Sequence, residues 1–336
     1  MNIAGDRLPH PRISAKPRAR AELAGGAALA AAGAALIVWG SPPLALISGM
    51  LFALLIGQPF AQISQSAAKW LLQISVVLLG FSMNLPVVLR LGLNGSLFAA
   101  ATIGSTLLLG WWLGRRLGLS AKTATLISVG TAVCGGSAIA AVSSVIGASG
   151  AEIAVSIGTI FLLNAVALYL FPLVGHLLHL SQTQFGLWAG VAIHDISSVV
   201  GAGISYGSVA LQTATAVKLS RSLWIVPLTL AFAAAGRRGA APRAAAAKIA
   251  VPWFIGFFLL ASLLRSYLPI VVTWSPVFSA VARRGMILVL FLIGTMLSRT
   301  ALRTVGFRTA AAGAALWLFI SVSSLAVILF VLAKAA

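Results

Sequence analysis

Two apolar stretches in the middle of the sequence are interrupted by small and polar residues whose groups could bind a ligand. The first contains Cys134-Gly135-Gly136-Ser137, and the second contains His194-Asp195 followed by Ser197-Ser198. Each unpaired polar group inside lipid costs free energy, and paired glycines weaken a helix. Such interruptions are typical of backbone that lines a protected polar cavity at mid-membrane depth. We therefore predict two broken helices whose breaks line a substrate site.

The glycine pair of the first stretch allows an unwound turn in the helix. A half-helix that begins near Ser137 would point its free N–H groups and the positive end of its dipole into the cavity, which suits an anion. We predict substrate contacts from Cys134, Gly135, Gly136 and Ser137. The alternative is that these small residues only allow close helix packing.

The second stretch holds Asp195, the one acid that lies well inside an apolar run. An ionisable residue within the membrane is a candidate functional residue, and an unperturbed histidine such as His194 titrates near neutral pH. We predict that His194 and Asp195 carry the coupling ion and that Ser197 and Ser198 contact the substrate. The alternatives are a buried Asp held by hydroxyl groups and an Asp at the end of a span.

A third apolar run contains Lys218 and Arg221. At a spacing of i and i+3 the two cations share one helix face. Facing a cavity, they would form a clamp for an anion, because Arg offers a planar fork to an oxyanion, and we predict that both contact the substrate. The alternatives are that both extend to the membrane interface, or that Asp195 is the counter-ion of one of them.

The composition places the chain among membrane proteins. Hydrophobic residues make up 60% and charged residues 8%, and the mean hydropathy is +1.06, whereas an ordinary soluble domain carries about 25% charged residues. Repeated apolar runs of roughly 20 residues predict membrane-spanning helices. The predicted fold class is an all-α polytopic transmembrane helix bundle with broken helices.

The charges are unevenly divided, with 23 Lys and Arg against 4 Asp and Glu. Most of the cations fall between apolar runs, where the positive-inside rule accounts for them without nucleic acid. The acids form no cluster, no set of His and acids suits a metal, and no Gly-rich phosphate loop is present. We therefore expect no cofactor and no enzyme active site. The single Cys134 excludes an intramolecular disulfide.

The apolar runs predict about eleven spans, or about ten if the short second run does not cross the membrane. The cation bias places the N-terminus in the cytoplasm, although Arg283 and Arg284 depart from this bias. Residues 1–22 are predicted to form a basic cytoplasmic tail, residues 23–336 a single transmembrane domain, and residues 236–248 a cytoplasmic linker within it. The predicted spans are 23–40, 44–58, 69–89, 94–113, 123–146, 152–174, 186–206, 211–235, 250–268, 277–298 and 309–333.

One internal similarity is consistent with a repeat. The run Leu71–Met83 resembles Gly285–Met296, since each is a long aliphatic run broken by Gly and then by a hydroxyl residue. In the predicted topology the two runs cross the membrane in opposite directions, as an inverted repeat of a secondary transporter would. The match is short, and chance similarity is the alternative.

Four blocks of the sequence are distinctive, at residues 78–81, 132–141, 190–195 and 217–227. Together they resemble the YeiH-like sulfate exporter family of bacterial inner-membrane proteins, over roughly residues 44–330. The resemblance implies a multi-pass protein of ten or eleven spans, of the cation–proton antiporter and bile-acid symporter type. Members of that family usually have Thr at the position of Ser220 and often Asn at that of Ser222, so both positions stay polar here.

The preferred hypothesis is a secondary active transporter that exports a small anion, sulfate or a sulfonate, coupled to H⁺ or Na⁺ in the bacterial inner membrane. The alternative is a cation–proton antiporter in which Asp195 binds the ion, and a membrane-embedded enzyme or assembly scaffold is less favoured. The expected partners are the anion, the coupling ion, the lipid bilayer and a second copy of the chain in a homodimer. Nucleic acid is not expected.

Overall fold

The structure is a computed structural model that describes residues 16–57, 60–94, 96–236, 253–297 and 305–335. Over these ranges every regular element is a helix. The helices are α1 (Lys16–Trp39), α2 (Pro42–Leu55), α3 (Ala61–Gly80), α4 (Leu85–Asn94), α5 (Ser96–Arg116), α6 (Ala121–Ala132), α7 (Gly136–Ile146), α8 (Gly150–Leu177), α9 (Gln182–Ala192), α10 (Ile196–Tyr206), α11 (Ser208–Ser222), α12 (Ile225–Gly236), α13 (Trp253–Tyr267), α14 (Pro269–Met296) and α15 (Phe307–Ala335).

Among the described residues, six helical segments are long and apolar enough to cross a membrane. The prediction of an all-helical membrane protein is therefore confirmed. Residues 1–15 of the predicted tail and most of the predicted linker lie outside the described residues, whereas residues 16–22 belong to α1. The six segments are 61–80, 97–116, 150–177, 208–235, 269–296 and 307–330.

Two predicted spans have different boundaries in the structure. The predicted span 69–89 corresponds to α3, which begins at Ala61 and ends at Gly80, and the separate helix α4 follows it. The predicted span 211–235 is interrupted by a turn at Leu223-Trp224, between α11 and α12. Pro227 accounts for this turn, because it has no N–H to donate to the carbonyl of Leu223, which instead accepts a hydrogen bond from the N–H of Val226 at 3.2 Å.

Helices α6 and α7 form an antiparallel hairpin, named hairpin 1 here (residues 121–146). At its base, Lys122 Nζ donates a hydrogen bond to the carbonyl of Gly147 at 2.7 Å. Closer to the tip, a β-carbon placed on Gly130 would lie 2.9 Å from Cδ1 of Ile139. Both ends of the hairpin therefore lie together, and the prediction that residues 123–146 cross the membrane is wrong. The chain reverses at Gly135, where the glycines were expected only to unwind a continuing helix.

Helices α9 and α10 form a second antiparallel hairpin, hairpin 2 (residues 182–206). At its base, Tyr206 donates a hydrogen bond to the carbonyl of Leu180 at 2.6 Å, and its ring stacks on Phe185 with 3.7 Å between centroids. Gln182 Oε1 accepts a hydrogen bond from the N–H of Val209 at 2.9 Å. The prediction that residues 186–206 cross the membrane is therefore also wrong, because this segment returns to the end at which it begins.

Helix α8 places the two hairpins at opposite ends of the bundle. It starts beside the base of hairpin 1, where Glu152 accepts a hydrogen bond from Ser120 at 2.7 Å. It finishes beside the base of hairpin 2, where the ring of His176 stacks on Tyr206. Between these points α8 has 28 residues, about 42 Å of helix, whereas each hairpin arm of 11 or 12 residues is only about 17 Å long. The hairpins thus approach each other tip to tip.

Aromatic packing holds hairpin 2 between α8 and α15. Trp188 on α9 stacks on Phe171 of α8 with 4.2 Å between ring centroids. The same Phe171 ring lies 6.0 Å from that of Trp317 on α15. Trp188 Nε1 also donates a hydrogen bond to the carbonyl of Ser321 at 2.9 Å, so its polar edge is satisfied within this buried contact.

Helices α2, α3, α13 and α14 pack together into a unit that we call the scaffold bundle. Helices α3 and α14 are antiparallel, because Phe81 stacks on Phe278 at 4.7 Å while Ser75, nearer the start of α3, meets Gly285, nearer the end of α14. Helix α3 also runs parallel to α13. The ring of Trp70 contacts that of Trp253 at the start of α13, whereas Gly80, at the end of α3, contacts Phe258 further along α13. Helices α3 and α13 therefore run in one direction through the bundle, and α14 runs in the opposite direction.

Two glycines of the scaffold bundle occupy matching positions. A β-carbon on Gly80 would lie 2.5 Å from the carbonyl oxygen of Phe258 on α13. A β-carbon on Gly294 would lie 2.4 Å from the carbonyl oxygen of Leu46 on α2. Each glycine therefore allows direct contact between two helix backbones. These are the glycines of the two similar runs in the sequence, so the similarity corresponds to equivalent packing.

Candidate functional site

The tips of the two hairpins are in contact. The tip of hairpin 1 is residues 133–135 and the tip of hairpin 2 is residues 193–195. A β-carbon placed on Gly135 would lie 3.4 Å from Cβ of Asp195 and 3.6 Å from the carbonyl carbon of His194. The two interrupted stretches of the sequence are thus neighbours in space, as expected if both line one site.

Gly135 determines the reversal at the tip of hairpin 1. Its φ of 68° and ψ of −128° form a combination that residues with a side chain rarely adopt. Helix α7 starts at the next residue, Gly136, so the first N–H groups of α7 have no partner within the helix. Cys134 Sγ lies 3.0 Å from the hydroxyl of Ser137. The predicted start of a half-helix near Ser137 is confirmed.

Asp195 caps the first turn of α10. One carboxylate oxygen accepts hydrogen bonds from the N–H of Ser198 and the hydroxyl of Ser197, both at 2.6 Å. The other accepts a hydrogen bond from the hydroxyl of Ser198 at 3.0 Å. Asp195 is buried, and Ser197 and Ser198 surround its carboxylate. The geometry therefore matches the alternative of an Asp held by hydroxyl groups, and the role of Asp195 in ion coupling stays a prediction.

Lys218 and Arg221 reach the tip of hairpin 1 from α11. Both side chains are buried, with exposed fractions of 0% and 1%, so neither extends to a membrane interface. Lys218 Nζ donates to the carbonyl of Val133 at 3.4 Å, and Arg221 donates to the carbonyl of Ala132. These carbonyls lie at the C-terminal, negative end of α6, where cations are stabilising. The two cations share one helix face, as predicted; their observed acceptors include backbone carbonyls, and their contact with a substrate stays a prediction.

Three further residues of the site were not predicted to belong to it. Thr102 on α5 accepts a hydrogen bond from Arg221 Nη1 at 2.8 Å. Asn164 on α8 accepts one from the N–H of His194 at 3.1 Å and so holds the tip of hairpin 2. Ser222 on α11 donates a hydrogen bond to the carbonyl of Lys218 at 2.9 Å, in the turn that carries both cations. The available signal was the same for each, a hydroxyl or amide group within an apolar run.

Several buried polar atoms around the tips have no hydrogen-bond partner among the described residues. They are both ring nitrogens of His194, Nδ2 of Asn164, Nε of Arg221 and Oγ1 of Thr131. Buried polar groups are normally paired, and each exception needs a physical reason. Gly135 at the tip of hairpin 1 lies against His194 and Asp195, and Lys218 and Arg221 bind carbonyls of the same tip. The predicted residues of all three stretches thus form one cluster, rich in free donors.

The described residues offer no group of three or more His, Cys, Asp or Glu side chains that could hold a metal ion. Two cavities, of about 620 Å³ and 470 Å³, lie away from the tips, against α14. We base the candidate site on the cluster and not on the cavities, because the cluster holds the buried charges. Its chemistry is that of binding, with helix ends, cations, hydroxyls and one carboxylate around the hairpin tips.

Comparison with known proteins connects this architecture to a family. A family model described as conserved hypothetical protein 698 matches residues 23–313, which include both hairpins and the cations of α11. The chain belongs to this family. The match also spans the scaffold bundle, so the elements that position the site lie within the region that defines the family.

Bacterial membrane proteins are among the similar sequences. A UPF0324 membrane protein of Porphyromonas gingivalis is 47% identical over 298 residues, covering 87% of this chain and 88% of the relative. A UPF0324 membrane protein of Bacteroides thetaiotaomicron is 45% identical with the same coverage. One from Bdellovibrio bacteriovorus is also 45% identical, covering 86% of this chain and 89% of the relative. No solved structure matches the chain significantly.

Proposed function

We propose that this protein is a secondary active transporter of a small anion and that the anion binds where the two hairpin tips meet. The preferred substrate class is sulfate or an organic sulfonate, exported across the bacterial inner membrane with H⁺ or Na⁺ as the coupling ion. The observation that carries this proposal is the pair of buried cations, Lys218 and Arg221, beside unpaired buried donors.

The charge of the cluster favours an anion over a cation. Lys218 and Arg221 bring two positive charges, whereas Asp195 supplies one carboxylate that already accepts three hydrogen bonds. A buried charge without a partner is strongly unfavourable. The carbonyls of Ala132 and Val133 offset part of the excess through the dipole of α6. A bound anion would compensate the remainder.

The start of α7 offers the best place for the anion. A β-carbon on Gly136 would meet only the ring of Phe161, at 3.8 Å, so no side chain packs tightly against the first turn of the helix. These N–H groups and the dipole of α7 favour a negative ligand. The free Nε of Arg221 and the free Nδ2 of Asn164 add donors to the same cluster. Sulfate and sulfonate groups present several acceptor oxygens that could satisfy these donors.

The pair His194 and Asp195 is the proposed coupling element. Both lie at the tip of hairpin 2, against Gly135 of the tip whose carbonyls bind Lys218 and Arg221. A proton or Na⁺ bound there would change the charge beside the anion, which is how one ion can influence the transport of another. The hairpin tips would move relative to the scaffold bundle to give alternating access, consistent with opposed half-bundles related as an inverted repeat.

Transport of radiolabelled sulfate into proteoliposomes, with and without an imposed pH gradient, tests the proposal. Wild-type flux should respond to the gradient. Arg221→Gln should lower the flux roughly tenfold or more, since one hydrogen bond to a charged group contributes about 1.5–3 kcal/mol. Arg115→Gln is the matched control, because Arg115 lies over the ring of Trp111 at an exposed end of α5.

Sulfate-dependent protection against thermal unfolding separates binding from folding. We expect sulfate to raise the unfolding temperature of the wild type and of Arg115→Gln, but not that of Arg221→Gln, even where Arg221→Gln is monodisperse. Equal sulfate flux in Arg221→Gln and wild type would disprove the anion site. Proton movement that depends on Na⁺ or K⁺, without sulfate flux, would instead support a cation–proton antiporter that uses Asp195, a buried carboxylate at the tip of hairpin 2.

A further inference from the structure

A cavity of about 620 Å³ lies between the base of hairpin 2 and the scaffold bundle, and no residue of either hairpin tip lines it. The start of α2, the end of α10 and the middle of α14 form its walls. Two adjacent arginines of α14, Arg283 and Arg284, line it together with the hydroxyl residues Ser41 and Ser205. The cavity therefore presents two cations and small polar groups to whatever enters it.

Among the side chains that the structure describes, few groups compensate the charge of these arginines. Arg284 Nη1 donates one hydrogen bond to the carbonyl of Val38 at 2.9 Å, near the end of α1. Of the four acids in the chain, Glu152 is bound to Ser120 and Ser149, and Asp195 caps α10. The other two acids, Asp6 and Glu22, lie outside the residues whose side chains the structure describes. No acid with a described side chain binds these arginines, so the cavity can accept a ligand with negative charge.

A second cavity of about 470 Å³ adjoins the first, and the two share Ala280 and Arg284. Its walls are formed almost entirely by aliphatic side chains of α1, α3 and α14. Ile74 and Val281 of this wall have exposed fractions of 49% and 54%, so the cavity opens on the outer surface of the bundle. Since α3 and α14 are both long and apolar enough to cross a membrane, that surface is suited to contact with lipid.

We propose that the two cavities form one binding site for an anionic phospholipid. The phosphate lies between Arg283 and Arg284, because a guanidinium group binds phosphate oxygens with paired hydrogen bonds. One acyl chain occupies the neighbouring apolar cavity. Basic cavities between membrane helices bind lipid headgroups in this way. A free oxyanion would use the arginines but would leave the apolar cavity without a role, which is why the lipid is the ligand we propose.

Native mass spectrometry of delipidated full-length protein titrated with phosphatidylglycerol tests the site. Arg283→Gln leaves the hydrogen bond from Arg284 to Val38 in place and should lower lipid affinity about tenfold, a change of the size expected for one lost charged contact. Ile74→Trp should lower it comparably by filling the apolar cavity without changing any charge. The control Arg115→Gln, which removes an exposed arginine elsewhere, should bind as the wild type does.

A parallel titration with inorganic phosphate separates the two sources of the anion. Binding of phosphatidylglycerol that is weakened by both Arg283→Gln and Ile74→Trp supports the proposal. Binding of inorganic phosphate alone, sensitive to Arg283→Gln and indifferent to Ile74→Trp, would overturn the lipid site. Equal lipid affinity in all four proteins would overturn it as well. Each variant is first checked for a single symmetric peak in size-exclusion chromatography, and the readout is independent of sulfate transport.

Discussion

Asp195 has an observed structural role and a proposed functional role, and two substitutions separate them. Asn caps helices about as well as Asp, so Asp195→Asn should preserve stability while removing the negative charge. Asp195→Ala should destabilise the protein by about 1 kcal/mol through loss of the cap. If Asp195 couples an ion to the anion, Asp195→Asn should abolish the response of sulfate flux to a pH gradient. Thermal unfolding and gradient-driven flux of both variants check this.

An unchanged pH response in Asp195→Asn, at wild-type stability, would leave Asp195 with the capping role alone. Ser144→Ala, which removes an exposed hydroxyl bonded only to its own helix, provides a control for handling and reconstitution. It should match the wild type in both measurements. The two readouts are needed together, because loss of flux in Asp195→Ala would not distinguish a melted cap from a missing charge.

The residue types of the site could be predicted from the sequence, but their partners could not. Lys218 and Arg221 stand out because a cation deep in an apolar run is costly. Their observed acceptors are the carbonyls of Ala132 and Val133. Every residue has a carbonyl, so the sequence does not mark the few that a helix end leaves free. The same limit hid the role of Asn164, which binds a backbone N–H group.

At the level of helices, the positions of the two interruptions could be predicted from the sequence, but the reversal of the chain at each of them could not. A span of 24 residues with a break in the middle and a hairpin of two half-length arms have the same apolar length. The contacts that distinguish them, such as that of Lys122 with Gly147, join residues at the two ends of the segment. Local composition carries no information on this closure. The sequence shows only that Gly135 is a glycine, and the positive φ by which it reverses the chain is seen in the structure alone.

Two neighbouring glycines provide a test of the reversal. Gly135→Ala should destabilise the protein by about 1–3 kcal/mol, because alanine is strained at a φ of 68°. Gly136→Ala is the matched control, since its β-carbon would meet only the ring of Phe161 at ordinary contact distance. It should be neutral or stabilise α7 slightly, as Ala favours helix over Gly by about 1 kcal/mol.

Thermal unfolding of the two alanine variants in the same detergent would compare them directly. The expected order of stability is Gly136→Ala at or above wild type and Gly135→Ala clearly below it. The reverse order, or equal stability of the two variants, would contradict the assignment of the turn to Gly135. Sulfate flux in the Gly136→Ala variant would also show how much the space beside the first turn of α7 matters to the substrate.

At the level of the whole molecule, the hairpins change the expected path of the chain, but they leave the predicted sides of its cations unchanged. Arg115, Arg116 and Lys122 lie at the base of hairpin 1. Arg308 lies there too, because a β-carbon placed on Gly118 would be 3.5 Å from its side chain. The positive-inside rule therefore favours a cytoplasmic base for hairpin 1. Hairpin 2 then opens to the outside, and the N-terminus is expected in the cytoplasm.

Single cysteines test this arrangement, and Cys134→Ser supplies the background because the chain has no other cysteine. Ala121→Cys and Gly150→Cys flank hairpin 1, and both should react with a membrane-impermeant maleimide from the cytoplasmic side. Thr183→Cys and Ser208→Cys flank hairpin 2, and both should react from the outside. Labelling of inside-out and right-side-out vesicles measures this. Labelling of Ala121→Cys and Gly150→Cys from opposite sides of the membrane would show that residues 123–146 cross it.

The hydrogen bonds of Arg221 also have a kinetic consequence. Its guanidinium already holds Thr102 and the carbonyl of Ala132, so an arriving anion would compete with partners that the protein itself provides. Binding is less favourable when an anion replaces hydrogen-bond acceptors that the protein provides than when it pairs with an arginine that has no partner. The site would therefore hold its anion loosely and release it quickly, and it would not collapse when empty. Saturation at high substrate concentration, with rapid turnover, is the behaviour such an arrangement favours.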